Sequence, residues 1–313
     1  EPERYLGANP HFHKSALARY TQWDFIALVD AHGIAWHEKE LGQLFCDGSS
    51  KQIVAMLLDE CARAGVRIDV GVDVGGVERD GAGFRLATSL GSLGCESLVI
   101  ASGGLSIPRM GATGFGYRVA RQFGHEVRAT RAALVPFTLG SAELARYRDL
   151  KGVSLPVRAA CGGRAFEAGM LFTHRGLSGP AILQVSSYWE PGTPVVVDLL
   201  PGCDAAAWLA ERKAARPGAE LHNVLAERLP RRLAQRLCEL AAPSRPLRHL
   251  RDRELRRLGG ELNAWAFVPD ATEGYRTAEV TLGGVDTDAL SSRTMASETV
   301  PGLYFVGEVV DVT

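Results

Sequence analysis

The sequence has no apolar run approaching the roughly 18 residues that a membrane-crossing helix needs, and its net charge is only -1. The first absence excludes a helical integral membrane protein. The second removes the overall field by which a chain recruits nucleic acid or an anionic membrane. Lysine is scarce: of 35 basic residues, 5 are Lys and 30 are Arg. Cysteines are few and dispersed. Cys46, Cys61, Cys95, Cys161, Cys203 and Cys238 form no C-x-x-C pair. That spacing argues against a disulfide framework or a zinc ribbon and for free thiols in a reducing cytoplasm. His11, His13, His32 and His37 show no H-E-x-x-H spacing, so no metal site is expected. No G-x-S-x-G elbow occurs, and Ser178 has no evident triad. Internal repeats and low-complexity segments are missing too.

What remains is a globular composition, 46% hydrophobic and 23% charged, at a length of 313 residues that suits two domains. Residues 14–32 carry apolar side chains at helical spacing and predict one helix ended by Gly33. Residues 50–64 predict a second, capped by Ser49 or Ser50 and ended by Gly65. The period then changes to two. Val66, Ile68 and Val70 predict a strand, as do residues 72–78, 84–89 and 97–101, with turns at 80–83 and 91–94. A helix is expected over 115–123. Strands are expected over 133–139, 153–161, 164–172 and 194–200. Residues 204–258 read as Arg- and Leu-rich helices interrupted by Pro217, Pro230, Pro243 and Pro246. Strand signals return at 278–282 and 303–306. The fold class is α/β, with a part-β, part-helical domain inserted between two pieces of an α/β domain. The expected domains are residues 1–128, 129–277 and 278–313, the last returning to the first.

Two strand ends carry the chemistry. In Leu98-Val99-Ile100-Ala101-Ser102-Gly103-Gly104 an apolar strand ends in small residues that let a ligand or another backbone approach. In an open α/β sheet, ligands sit beyond such carboxyl ends. In Gly302-Leu303-Tyr304-Phe305-Val306-Gly307-Glu308-Val309-Val310-Asp311 a second strand ends in Gly, with two carboxylates able to accept hydrogen bonds from ribose or ribityl hydroxyls. The plain alternatives are a strand-to-loop turn and a solvated acidic turn. Thr173-His174-Arg175-Gly176-Leu177-Ser178-Gly179-Pro180 places an imidazole on a Gly-rich loop. His174 is a candidate proton donor, because its ordinary pKa of ~6.5 suits the role. The competing reading is that this motif's side chains pin a tight turn. Thr281-Leu282-Gly283-Gly284-Val285 is either a turn against a cofactor or a domain-return hinge.

These motifs, together with NPHFHKSAL (9–17), GATGFGY (111–117), ALVPF (133–137), LFTHRGLSGPAIL (171–183) and AEVTLGGVDT (278–287), resemble the YhiN-like, or BaiN-like, flavoprotein family. Its members are described as NAD(P)/FAD-dependent or aminoacetone-oxidase-family FAD enzymes. The resemblance runs the whole chain in order. It implies a glutathione-reductase-like FAD domain with a β-rich and helical insertion. It also implies FAD contacts at Val74 (adenine), Ala101, Ser102, Gly103, Gly104, Gly283, Gly284, Gly307, Glu308 and Asp311. The family's opening strand, G-x-G-x-x-G turn and helix are not found here; residues 111–116, G-A-T-G-F-G, have another spacing. The expectation is therefore a chain truncated at both ends, its FAD domain incomplete.

The resulting expectation is a cytoplasmic FAD-dependent oxidoreductase, with NAD(P)H as its donor and a small molecule as its substrate. No membrane partner is expected, nucleic acid is disfavoured, and the oligomeric state stays open. The rival is a non-enzymatic binding module or RNA-associated domain working through residues 227–257, where ten Arg face four acids. That segment lacks clustered aromatics for base stacking and interleaves its charges at helical spacing, which fits a solvated face.

Overall fold

A computed structural model describes residues 2–39, 42–241 and 243–313. The protein is mixed α/β and divides into two compact units. The first comprises Glu1–Ala101, Tyr117–Val127 and Val285–Val312; the second comprises Ser102–Gly116, Arg128–Gly284 and Thr313.

In the first unit, the helix expected over 14–32 is two helices, Lys14–Arg19 and Gln22–Ala31. The break is Thr21. Its Oγ1 accepts the Asp24 N–H while the Asp24 carboxylate accepts the Thr21 N–H. Such a reciprocal cap starts a helix and so ends the preceding one. Helix Lys51–Arg63 follows, and Gly33 and Gly65 adopt the left-handed backbone expected of helix stops. Val29, Ile34 and Met56 join these helices in a small core. The alternating run Val66, Ile68, Val70 is not a strand: residues 66–70 are irregular, and Val70 is 87% exposed. Period-two patterning needs a neighbouring strand to become a ladder, and among the described residues none pairs with it.

Strands Val74–Asp80, Gly83–Thr88 and Gly91–Cys95 form an antiparallel meander. Residues 91–94, expected as a turn, are strand instead. Thr88 closes the actual turn, donating its hydroxyl to the Gly91 carbonyl and accepting the Leu90 N–H. Strands Leu98–Ile100 and Leu303–Phe305 pair in parallel, Leu98 opposite Leu303 and Ile100 opposite Phe305. Parallel pairing of distant segments is the arrangement of α/β folds.

The second unit is built on a seven-stranded antiparallel sheet. Its order is Trp265–Phe267, Val195–Asp198, Ser154–Cys161, Arg164–Phe172, Gly176–Ser178, Phe137–Thr138 and Ala271–Thr272. Leu155, Val157, Ala159 and Cys161 alternate inward, as a half-buried strand requires. Helices Ala205–Ala215, Leu221–Leu225, Arg231–Leu240 and Asp252–Asn263 pack with it into one core. Pro217, Pro230, Pro243 and Pro246 all fall between these helices. Gly259 sits where Asp252–Asn263 crosses Ala205–Ala215; a Cβ there has no room beside the Ala206 backbone.

The boundaries differ from those expected. Residues 102–116 pack in the second unit, because Leu105 N–H donates to Thr281 Oγ1 at 2.8 Å and Ile107 N–H to the Tyr275 carbonyl at 2.8 Å. Strand Val280–Val285 pairs with strand Val127–Ala133. Residues 278–284 therefore also lie in the second unit, and the return falls after Gly284 rather than after residue 277.

Candidate cofactor and substrate site

Within the first unit, Ala101 and Gly307 lie just beyond the carboxyl ends of the parallel pair. Val306 N–H continues the ladder to the Ile100 carbonyl at 3.0 Å. Gly307 has φ +75° and open space where a Cβ would stand. Glu308 is half-buried in the short helical turn Gly307–Val309. Asp311 is buried at 4% exposure, and its Oδ2 accepts the Ala8 N–H at 2.9 Å. Its carbonyl lies against Gly7, which has no room for a side chain. A carboxylate expected to accept from sugar hydroxyls is thus engaged in holding residues 7–8. Val74 stands at the first position of the meander, opposite Thr88, not on the parallel pair.

Within the second unit, Ser102 is exposed and Gly104 buried. Gly103 has φ +71° and nothing within 4 Å of a Cβ position. The segment after them is fixed by Thr281, a fully buried residue whose Oγ1 meets Leu105 N–H and, at 3.0 Å, Ser106 Oγ. Gly283, at φ +79°, lies directly against the Ala129 carbonyl, and Gly284 is buried. The 281–285 motif is strand rather than a turn, and the return to the first unit falls within it, after Gly284. Sequence reasoning passed over Thr281 as a positioning residue. Its signal was a β-branched hydroxyl residue inside an otherwise apolar strand.

His174 occupies the turn between strands Arg164–Phe172 and Gly176–Ser178. The turn is pinned by its neighbours. Thr173 Oγ1 accepts the N–H groups of Arg175 and Gly176 at 3.2 and 3.0 Å. Arg175 reaches Glu273 at 3.8 Å. Gly179 lies against the Gly169 carbonyl at φ +95°. The imidazole itself is exposed and makes no hydrogen bond or ion pair among the described residues. The two readings of this motif thus separate by residue: Thr173 and the glycines hold the turn, and His174 is left available.

Other chemistry lies elsewhere. A cleft of about 400 Å³ in the second unit is lined by Arg146, Tyr147, Arg257 and Trp265, among others, and by none of the candidate cofactor residues. All six cysteines are free. Burial pushes the Cys238 thiol up to about 11, which keeps it protonated and unreactive at neutral pH. His32 Nε2 lies 2.8 Å from Glu60, with Asp59 on the ring's other side. Arg63 pairs with both carboxylates at 2.6 and 3.1 Å, so this grouping already carries its own cation.

Gly307 in the first unit, left-handed with open space beside it, offers the bare backbone that a dinucleotide cofactor needs for close approach. To that extent the residues present fit a flavin nucleotide. The comparison with known proteins agrees. Residues 1–313 match the HI0933-like protein Rossmann domain. The chain belongs to this family. The HI0933-like family lies within the FAD-binding oxidoreductase superfamily. The chain is 55% identical over 315 residues to a ribosomal RNA dihydrouridine synthase of Escherichia coli and 46% identical over 326 residues to one of Haemophilus influenzae. Each match covers 100% of this chain and 79% of the relative. A 3-dehydro-bile acid delta(4,6)-reductase of Clostridium scindens is 26% identical, over 98% of this chain and 78% of the relative. The relatives at 55% and 46% identity are named for ribosomal RNA, which does not support the expected small-molecule substrate. No helix among the described residues is long and apolar enough to cross a membrane.

Proposed function

We propose that this protein reduces a uridine of ribosomal RNA to dihydrouridine, with FAD as resident cofactor and NAD(P)H as electron donor. The observation that carries the reading is the 55% identity, along the whole chain, to the Escherichia coli relative of that name. The distant relative adds chemical sense. A 3-oxo-Δ4,6 steroid and a uracil both present a C=C bond conjugated to a carbonyl, and both names describe its reduction. The fold we propose is glutathione-reductase-like, with the second unit as its insertion.

FAD, when bound, supplies the hydride that adds at C6 of the uracil. Ala101 and Gly307 would give it backbone access in the first unit. Ser102, Gly103, Gly104, Gly283, Gly284, Val74, Glu308 and Asp311 remain candidates on the resemblance, Asp311 through the chain segment it holds. The proton that completes the reduction goes to C5, and NAD(P)H leaves as NAD(P)⁺. His174 is the proposed donor of that proton, since its imidazole is exposed and uncommitted.

The test is complementation. Ribosomal RNA from bacteria lacking their own enzyme should regain dihydrouridine, read by mass spectrometry of nucleosides, when this protein is expressed. No dihydrouridine, from a yellow and folded preparation, overturns the reading. His174→Ala should retain flavin absorbance and slow dihydrouridine formation by roughly 10²–10⁴-fold; an unchanged rate removes His174 from the proposal.

A further inference from the structure

The sequence shows ten arginines against four acids over residues 227–257; the tertiary structure decides which of them remain uncompensated. Glu227 is taken by Arg212 and Arg216, from outside the stretch. Asp252 is taken by Lys213, also from outside, at 2.7 Å. Glu239 pairs with Arg236, Glu254 with Arg245, and Arg257 with Glu261. Each acid of the stretch thus has an ion-pair partner, while Asp252 also faces Arg256, and Glu254 also faces Arg251 and Arg253, at longer range. Arg228, Arg231, Arg232, Arg248, Arg251, Arg253 and Arg256 make no ion pair among the described residues, and all seven are exposed.

Four of these guanidinium groups fall within nine residues. Arg248 lies on the short turn Leu247–His249, Arg251 caps helix Asp252–Asn263, and Arg253 and Arg256 stand three residues apart on that helix. The helix buries Leu255, Leu258, Gly259 and Leu262 on its opposite side, so the arginines hold no core together. The underlying backbone is fixed: Arg248 N–H donates to the Pro217 carbonyl, Leu247 N–H to the Ala219 carbonyl, and Lys213 Nζ to the Leu250 carbonyl. Exposed guanidinium groups that outnumber the carboxylates beside them repel one another unless a polyanion meets them. The nearby cleft differs. Its Arg146 and Arg257 pair with Glu143 and Glu261, which also line it. Its charges balance, and it offers a polyanion no net attraction.

We propose that Arg248, Arg251, Arg253 and Arg256 grip the phosphate backbone of the RNA substrate, with Arg228 and Arg231 as further phosphate contacts on the same helical part of the second unit; Arg232 is instead engaged with the Asp149 and Lys151 carbonyls. This rests on the assignment of ribosomal RNA as substrate and adds the surface that holds the RNA. Guanidinium groups suit phosphate by their forked, permanently charged donors. The contact we propose is with phosphate, which positions the RNA and leaves selection of the uridine to the reaction site.

The experiment uses the whole protein and a transcript of bacterial ribosomal RNA. Binding is measured as a function of salt, and dihydrouridine formation is measured in parallel. Neutralising the row (R248Q, R251Q, R253Q, R256Q together) should lower the salt slope of log K by about 3 and weaken binding tenfold or more at low salt. Flavin absorbance and melting should not change. The Lys versions of the same four should keep the slope, because charge carries the contact. Arg85→Gln, on the first unit and paired with Asp80, should leave binding unaltered. An unchanged slope in the Gln variant, or an equal loss in the Lys variant or at Arg85, overturns the inference. Dihydrouridine formation with an unchanged slope in the Gln variant sinks the inference alone. RNA binding that depends on the row, without dihydrouridine, sinks the functional reading alone.

Discussion

In the second unit, Phe137, Met170, Leu177, Ile182, Leu209, Leu225 and Leu233 are all essentially buried in one continuous core spanning sheet and helices. In the first, a separate cluster gathers around Val29, Ile34 and Met56, while Trp23, Val70 and Leu90 are 69%, 87% and 66% exposed. The difference is one of packing. The second unit gathers its sheet and its helices into a single core. The first leaves Val99, midway along a parallel strand, 54% exposed, although strands of parallel sheets are ordinarily buried on both faces. The first unit has buried residues of its own beyond that cluster, among them Phe84, Ile100, Tyr117 and Phe305, but with more apolar surface uncovered it is the one expected to open first.

Mutations sharpen that contrast. Phe137→Ala should cost about 3–5 kcal/mol in urea unfolding, because its ring sits edge-on to Trp189 and Phe267 and leaves a cavity that cannot collapse. Trp23→Ser, equally drastic in sequence, should change stability by less than about 0.5 kcal/mol. A small loss at Phe137 or a large one at Trp23 breaks the comparison. Gly259→Val should cost about 1–3 kcal/mol by forcing the Ala206 helix crossing apart, with the loss confined to the second unit's transition.

The smallest effect belongs to the first unit and depends on pH. His125 is buried against Phe305, with Nε2 2.9 Å from Ser297 Oγ. Burial lowers its pKa below the ordinary 6.5. The folded state therefore favours the neutral ring. Its contribution is fully present above about pH 6.5 and declines as the pH falls toward the lowered folded value. Melting of the first unit should drop over that range, and His125→Gln should flatten this dependence while the second unit's melting is unaffected by the change. An identical pH dependence in the variant would refute the assignment to His125.

Much of this was legible along the chain, for reasons that are local. The hairpin over residues 153–172 follows from alternation around the Gly162-Gly163 turn, and the helices of residues 204–258 break at their prolines. The Thr21–Asp24 cap was equally local and readable, as a hydroxyl residue three places before a carboxylate, but the apolar periodicity of 14–32 masked it. The run Val66, Ile68, Val70 has the pattern of a strand without a partner, and pattern alone does not supply one. At the candidate site the small residues after residue 100 and Gly307 were visible as strand ends. That Asp311 holds the Ala8 amide, or that Thr281 fixes Leu105 across 176 residues of sequence, was not.

The sequence by itself determined the helix stops at Gly33 and Gly65, the turn at Gly162–Gly163, the family to which its motifs belong, and the excess of arginine over acid in residues 227–257. Those are consequences of backbone propensity and of composition, which act over a few residues. Tertiary structure alone decided that Leu98–Ile100 meets Leu303–Phe305, that Thr173 rather than His174 pins its turn, and that Lys213, Arg212 and Arg216 take up acids which would otherwise neutralise the arginine row. Each is a pairing between groups far apart in the chain. Its energy depends on distance and burial in the folded molecule, and neither exists until the chain has closed.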